Sequence, residues 1–252
     1  MRTIVFELCV ESIQACLAAR QGGADRIELC TALSEGGLTP SHGLIREAIE
    51  RSGLPVHVLL RPRSGDFLYT GDEFGLMCDD LVHARSLGAS GFVLGLLRED
   101  LRVDLERTRT LVELAAPLEI TFHRAFDYTV SLEGALEDVI ATGCRRLLTS
   151  GGARDVLAGA GMLARLVKLA AGRIEIAVGG GLRLHDAAAI ARATHASHFH
   201  GSLRRTDASR VQAERPWVLE DTDSFEGASR FVVDAEDVRA MVGNLRSSLS
   251  FA

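Results

Sequence analysis

Eight short apolar runs, rich in β-branched and aromatic residues, alternate with amphipathic stretches along the whole chain, and this alternation constrains the fold more than any other feature. The runs are Thr3–Cys9, Arg26–Cys30, Val56–Leu60, Gly91–Leu96, Leu118–His123, Arg145–Ser150, Ile174–Val178 and Ser197–His200. The stretches between them carry helix-end signals. Ser12 precedes Ile13, Cys16 and Leu17, with Gly22 as the stop; Ser131 precedes Leu132, Leu136, Val139 and Ile140, closed by Gly143; Asp155 opens a stretch that runs to Gly172. Repeated strand and helix over 252 residues predicts an α/β fold, a (β/α)8 TIM barrel, as a single domain over residues 1–252. An open doubly wound sheet is the competing arrangement. The count of eight strands favours the barrel, and no G-x-G-x-x-G follows the first strand, so no nucleotide cofactor is expected. The long stretch Leu203–Arg230, containing Pro216-Trp217, separates the eighth strand from a final helix near Asp234–Leu249; a lid, an oligomer contact or partial disorder are its open readings.

Composition removes several function classes. With 28 basic and 34 acidic residues the net charge is −6, so there is no global positive field to attract nucleic acid. No apolar run is long enough for a membrane span, and Glu7 falls too early for a signal peptide; a cytoplasmic protein is expected. Five cysteines, Cys9, Cys16, Cys30, Cys78 and Cys144, show no C-x-x-C spacing, which argues against a disulfide framework. Lys168 is the only lysine and lies in a stretch of helical spacing, as a solvated surface residue. Schiff-base chemistry needs a lysine amine at the reacting centre, which argues against a lysine-dependent aldolase.

In a barrel the reaction site collects at the C-terminal strand ends, and side chains alternate inward and outward along each strand. Glu7 and Cys9 share a parity in the first strand; Arg26, Glu28 and Cys30 share one in the second. Neighbouring strands with the same E-x-C pattern place two carboxylates and two thiols in one corner. The third strand adds Arg61 and Arg63, the fifth His123, Arg124 and Asp127, and the eighth His198, His200 and Ser202. His57, earlier in its strand, reads as structural or outward-facing. Glu7, Glu28 and His123 are candidates for acid/base catalysis; an ion-pair network with Arg61, Arg63 and Arg124 as counter-charges is the structural alternative. Cys9 and Cys30 form the soft pair that Cu(I) prefers, against the alternative of two inert buried thiols; zinc would need further ligands such as His123 or His200.

Glycines mark the loops after strands six to eight: Ser150-Gly151-Gly152, Gly179-Gly180-Gly181 and Gly201-Ser202. Loops seven and eight are where phosphate-binding barrels hold their phosphate. With Arg61, Arg63, Arg124, Asp127 and His200, the residues Ser150, Gly151, Gly179, Gly180 and Ser202 form the candidate site for a small anionic metabolite, a phosphorylated one among the readings.

Five segments carry a family resemblance: Gly23-Ala24-Asp25-Arg26-Ile27-Glu28-Leu29-Cys30, Glu35-Gly36-Gly37-Leu38-Thr39-Pro40-Ser41, Arg61-Pro62-Arg63-Ser64-Gly65-Asp66-Phe67, Thr121-Phe122-His123-Arg124-Ala125-Phe126-Asp127 and Leu148-Thr149-Ser150-Gly151. In this order they resemble the CutC copper homeostasis family, from Phe6 to about His200. The resemblance implies a cytoplasmic TIM barrel that self-associates as a homodimer or higher homo-oligomer. It also implies Cu(I) binding through Cys9 and Cys30 for buffering or tolerance, with an acid/base enzyme of the same barrel as the alternative.

Overall fold

Strand parity sorts the side chains of this protein into two cores. In a computed structural model, residues 3–207 and 231–248 are described. The strands β1 (Val5–Val10), β2 (Arg26–Leu29), β3 (Val56–Leu59), β4 (Gly91–Leu94), β5 (Glu119–Phe122), β6 (Arg146–Thr149), β7 (Glu175–Gly179) and β8 (His198–Gly201) close a parallel barrel in sequence order. The expected (β/α)8 fold is therefore present, with strand ends shifted by one or two residues from the sequence-based runs. The helices α1 (Ile13–Gly22), α2 (His42–Ser52), α3 (Gly71–Ser86), α4 (Leu105–Ala115), α5 (Leu132–Thr142), α6 (Ala160–Ala170) and α7 (Ala187–Thr194) lie between them, and α8 (Ala235–Ser247) follows the last strand.

Outward residues of the strands are apolar and fully covered by the helices: Phe6, Leu8, Ile27, Leu29, Phe92, Leu94 and Phe122 among them. Each such side chain contributes roughly 1.5–3 kcal/mol of burial free energy, which drives the helices onto the barrel. The inward residues differ. Glu7, Arg26, Glu28, His57, Arg146 and His200 are all buried, and an apolar patch inside is formed by Cys9, Cys30, Leu59 and Val93. At the N-terminal end, Arg146 donates to Glu119 at 3.1 Å, Glu175 at 2.9 Å and Thr121 at 3.1 Å, and His198 lies 3.3 Å from Glu175. This network plugs the barrel floor, and His57 belongs near that end, buried and inward-facing.

Capping follows the sequence at α1 and α5, where Ser12 and Ser131 accept from Ala15 and Gly134. The helix expected from Asp155 starts instead at Ala160, because Asp155 spends its carboxylate on the Ala158 amide in a preceding turn. Two short strands, β9 (Arg205–Thr206) and β10 (Phe231–Val232), pair antiparallel and lead into α8, which packs on α1 and α7. Within Leu203–Arg230, residues 208–230, with Pro216-Trp217, lie outside the described residues. Among the described residues no helix is long and apolar enough to cross a membrane.

Candidate functional site

Register, which sequence spacing does not encode, assembles the site. Glu7 pairs with Arg26 across β1 and β2 and with His200 across β1 and β8, while Cys9 pairs with Glu28. One corner of the barrel therefore holds four ionisable groups in contact. Arg26 Nε donates a short hydrogen bond to Glu7 Oε2, and His200 Nδ1 lies 2.9 Å from Glu7 Oε1 and 3.9 Å from Glu28 Oε2. Glu7's counter-charge is thus Arg26 on the neighbouring strand, not any of Arg61, Arg63 or Arg124.

The two carboxyls are driven apart. Burial opposes the charge on Glu7 most strongly, but Arg26, His200 and His57 together hold its pKa well below the usual range. Burial also acts first on Glu28; the Glu7 charge adds to it, and the attraction of His200 does not compensate, so its pKa is raised. Burial disfavours the His200 imidazolium, yet Glu28 and Glu7 outweigh it and raise its pKa. The shared contacts thus bias Glu7 toward its ionised form, Glu28 toward its protonated form and His200 toward the imidazolium.

The thiols sit beside them. Cys9 Sγ is 3.4 Å from Glu28 Oε1 and 3.7 Å from Cys30 Sγ, and Cys30 Sγ is 3.6 Å from the Val10 carbonyl. The hydrogen bond with Cys30, then burial, pushes the Cys9 pKa well above that of a free thiol. Ligand atoms of Cys9, Glu28 and His200 all lie within 4.8 Å of one another, a spacing suited to a metal ion.

Above this corner opens a cavity of about 300 Å³ at the C-terminal strand ends. It brings together Cys9, Glu28, Arg61, His123, Arg124, Gly180, His200 and Ser202 of the sequence-based candidates. Glu7 lies beneath it, and Cys30 stands behind Cys9 with no exposed surface. The remaining candidates do not line it. Arg63 turns to Glu73 at 2.6 Å and Asp66 at 2.9 Å. Asp127 is saturated, accepting from Arg124, the Thr149 and Ser150 hydroxyls and the Ser150 and Gly152 amides. Ser150 and Gly151 belong to the loop that Asp127 pins. At Gly179 a Cβ would lie 2.8 Å from His200 Cβ, so this glycine lets β8 approach and sets the position of His200.

Sequence reasoning missed Phe67, Leu182 and Arg204 in the lining. Phe67 packs against His123 with ring centroids 5.0 Å apart and the planes tilted by 58°, and Arg61 lies 5.2 Å over the Phe67 ring. The signal for Phe67 was its place at the end of the arginine loop; Arg204 was absorbed into the polar stretch that follows Ser202.

The CutC family model matches residues 4–205. The chain belongs to the CutC family. A CutC-family protein of Chromobacterium violaceum is 45% identical over 237 residues, spanning 94% of this chain and 96% of the relative. One of Vibrio cholerae is 44% identical over 224 residues, spanning 87% and 88%. A crystal structure of CutC from Streptococcus agalactiae, a protein named for copper homeostasis, superposes with a TM-score of 0.75 at 31% identity, covering 79% of this chain and 99% of that one. The CutC match takes in every barrel strand and every candidate residue described above.

Proposed function

We propose that this CutC-family protein handles Cu(I) as its cargo, with Cys9 and Cys30 as the soft donors. The observation that carries the reading is the pair of buried thiols 3.7 Å apart at the base of the mouth. Two metal–sulfur bonds of about 2.3 Å would span about 4.6 Å in a straight line. The closer spacing leaves an ion bound by the sulfurs open to a further donor, and on the Cys9 side the ligand atoms of Cys9, Glu28 and His200 lie within 4.8 Å of one another. The donor set fits a soft monovalent ion, whose own positive charge offsets one of the two thiolate charges. Buffering in a cytoplasmic homo-oligomer is the physiological form of this proposal, and light scattering of the purified protein tests the assembly.

An anaerobic Cu(I) competition titration against a calibrated chelator tests the binding on the reduced protein. One tightly bound equivalent, lost in both Cys9→Ser and Cys30→Ser, is expected; binding indifferent to both substitutions overturns the reading.

A second reading, acid/base catalysis by Glu28 with Glu7 and His200 behind it, is favoured by one observation: Glu28 Oε2 is buried at the cavity wall without a hydrogen-bond partner. A buried carboxyl oxygen in that condition is placed to pass a proton to something that enters. His123 would then donate a hydrogen bond to the bound molecule. Infrared spectroscopy at neutral pH should show a protonated-carboxyl band that disappears in Glu28→Gln and survives in Glu7→Gln. Absence of the band from the unsubstituted protein removes Glu28 as the acid.

A further inference from the structure

We infer that the upper part of the mouth is a binding site for a small phosphate monoester, its dianionic head held by Arg61, His123 and Arg204. This names the substrate class of the acid/base reading and is independent of copper.

Three buried or half-buried donors lining one cavity lack acceptors. Among the described residues His123 Nε2, Arg61 Nε and Arg204 NH1 have no hydrogen-bond partner, and His123 and Arg61 are 7% and 5% exposed. Leaving such groups unmatched costs about 1–3 kcal/mol each, and more for charged ones, which an entering acceptor would recover.

Arg61 is the most telling of the three. Its guanidinium donates to the carbonyls of Glu35, Gly37 and Gly65 at 2.8–2.9 Å, so three neutral groups hold it in place. It forms no ion pair with any described carboxylate. A buried cation without a counter-ion is the condition that an anionic ligand relieves.

His123 is oriented by the backbone. Its Nδ1 accepts from the Ala125 amide at 3.1 Å, so the ring proton sits on Nε2 and is available for donation. Burial, then Arg61, lowers its pKa to about 3, which keeps the ring a neutral donor at any ordinary pH.

The charge count selects the ligand. Arg124 also lines the mouth but is neutralised by Asp127 at 2.8 Å. Among the described residues Arg61 and Arg204 have no carboxylate partner, and Arg204 is instead stacked 4.3 Å over Phe231. Two uncompensated charges match a phosphate monoester, which carries about −1.5 to −2 at neutral pH with three acceptor oxygens, better than a single carboxylate. Gly180, at φ 107°, passes so close to Arg124 that a Cβ would lie 3.0 Å from its guanidinium, which leaves the wall there as bare backbone. Leu59, Leu148 and Leu182 offer an apolar wall to the ester's body, and about 300 Å³ is at the small end of ligand pockets.

Calorimetric titration of the full chain with glycerol 3-phosphate, and separately with glycerate as the carboxylate analogue, tests the site. The ester should bind in the micromolar to low millimolar range and clearly more tightly than glycerate. His123→Ala and Arg204→Met should each weaken it about tenfold, which is 1.4 kcal/mol. Thermal unfolding checks that His123→Ala is folded; if it is not, Arg204→Met decides alone. No binding at millimolar ester, equal binding of glycerate, or an ester affinity unchanged in the folded variants overturns the proposal. Failure here leaves the infrared band of Glu28 and the copper titration as they were, so the readings stand or fall separately.

Discussion

His123 is held neutral inside the barrel, and that has a cost in acid. Its pKa is about 3 in the fold against 6.5 for the free side chain, and burial lowers that of His57 to about 4. The unfolded chain takes up protons below pH 6.5 that the native chain refuses, so stability is full above 6.5 and falls as pH drops toward the folded values. His200 works in the opposite sense: with a raised pKa its contribution is complete below 6.5 and is lost as pH rises through its folded value. Urea unfolding between pH 7 and 5 should lose on the order of 1 kcal/mol per pH unit for each buried neutral histidine, and His123→Ala should flatten the slope. Much at this scale was legible in the sequence, since parity alone put Glu7, Cys9, Glu28 and His200 inward. The choice of partner was not: the Glu7 to Arg26 pairing depends on strand register, and the arginines expected as its counter-charges are committed to carbonyls, to Glu73 and to Asp127.

Between elements, α8 lies close against α1. A Cβ at Gly22 would lie 2.3 Å from Val238 Cβ and 2.7 Å from the Ala235 carbonyl, with backbone as well as side chain in the way. Gly22→Ala should therefore destabilise the protein by about 1–3 kcal/mol in denaturant unfolding, against the gain that alanine normally brings to a helix. The sequence shows Gly22 as a helix stop but not as a contact, because helix ends are local and helix packing is not. Asp127 makes the same point for a loop: its place after β5 suggested a ligand contact, and the fold uses it to fasten the turn after β6. Asp127→Ala should cost about 3 kcal/mol, several amides and Arg124 being left without their acceptor. A loss under about 0.5 kcal/mol would show that water replaces the carboxylate there.

Over the whole molecule, the charged floor and the candidate site occupy opposite ends of the barrel axis. The floor is an ion network around Arg146, which is 2% exposed, and the open mouth is at the other end. Arg146→Met would take from Glu119 and Glu175 their buried partner, leaving them only Arg145 and, for Glu175, His198, and should destabilise by about 2 kcal/mol while Cu(I) affinity at the mouth is unchanged. A parallel loss of copper affinity would show that the two ends are coupled through the interior. The barrel itself was readable from eight strands and their spacing; the charged floor was not, since Arg146 and Glu175 look like ordinary surface residues at strand starts. The solitary Lys168 on α6 has a practical consequence at this scale. Its exposed amine gives the outer helical ring one side-chain handle for acylating dyes or surface attachment. A chain tethered or lit through that handle carries no modified side chain at the mouth, so its ligands can be watched arriving at an untouched entrance.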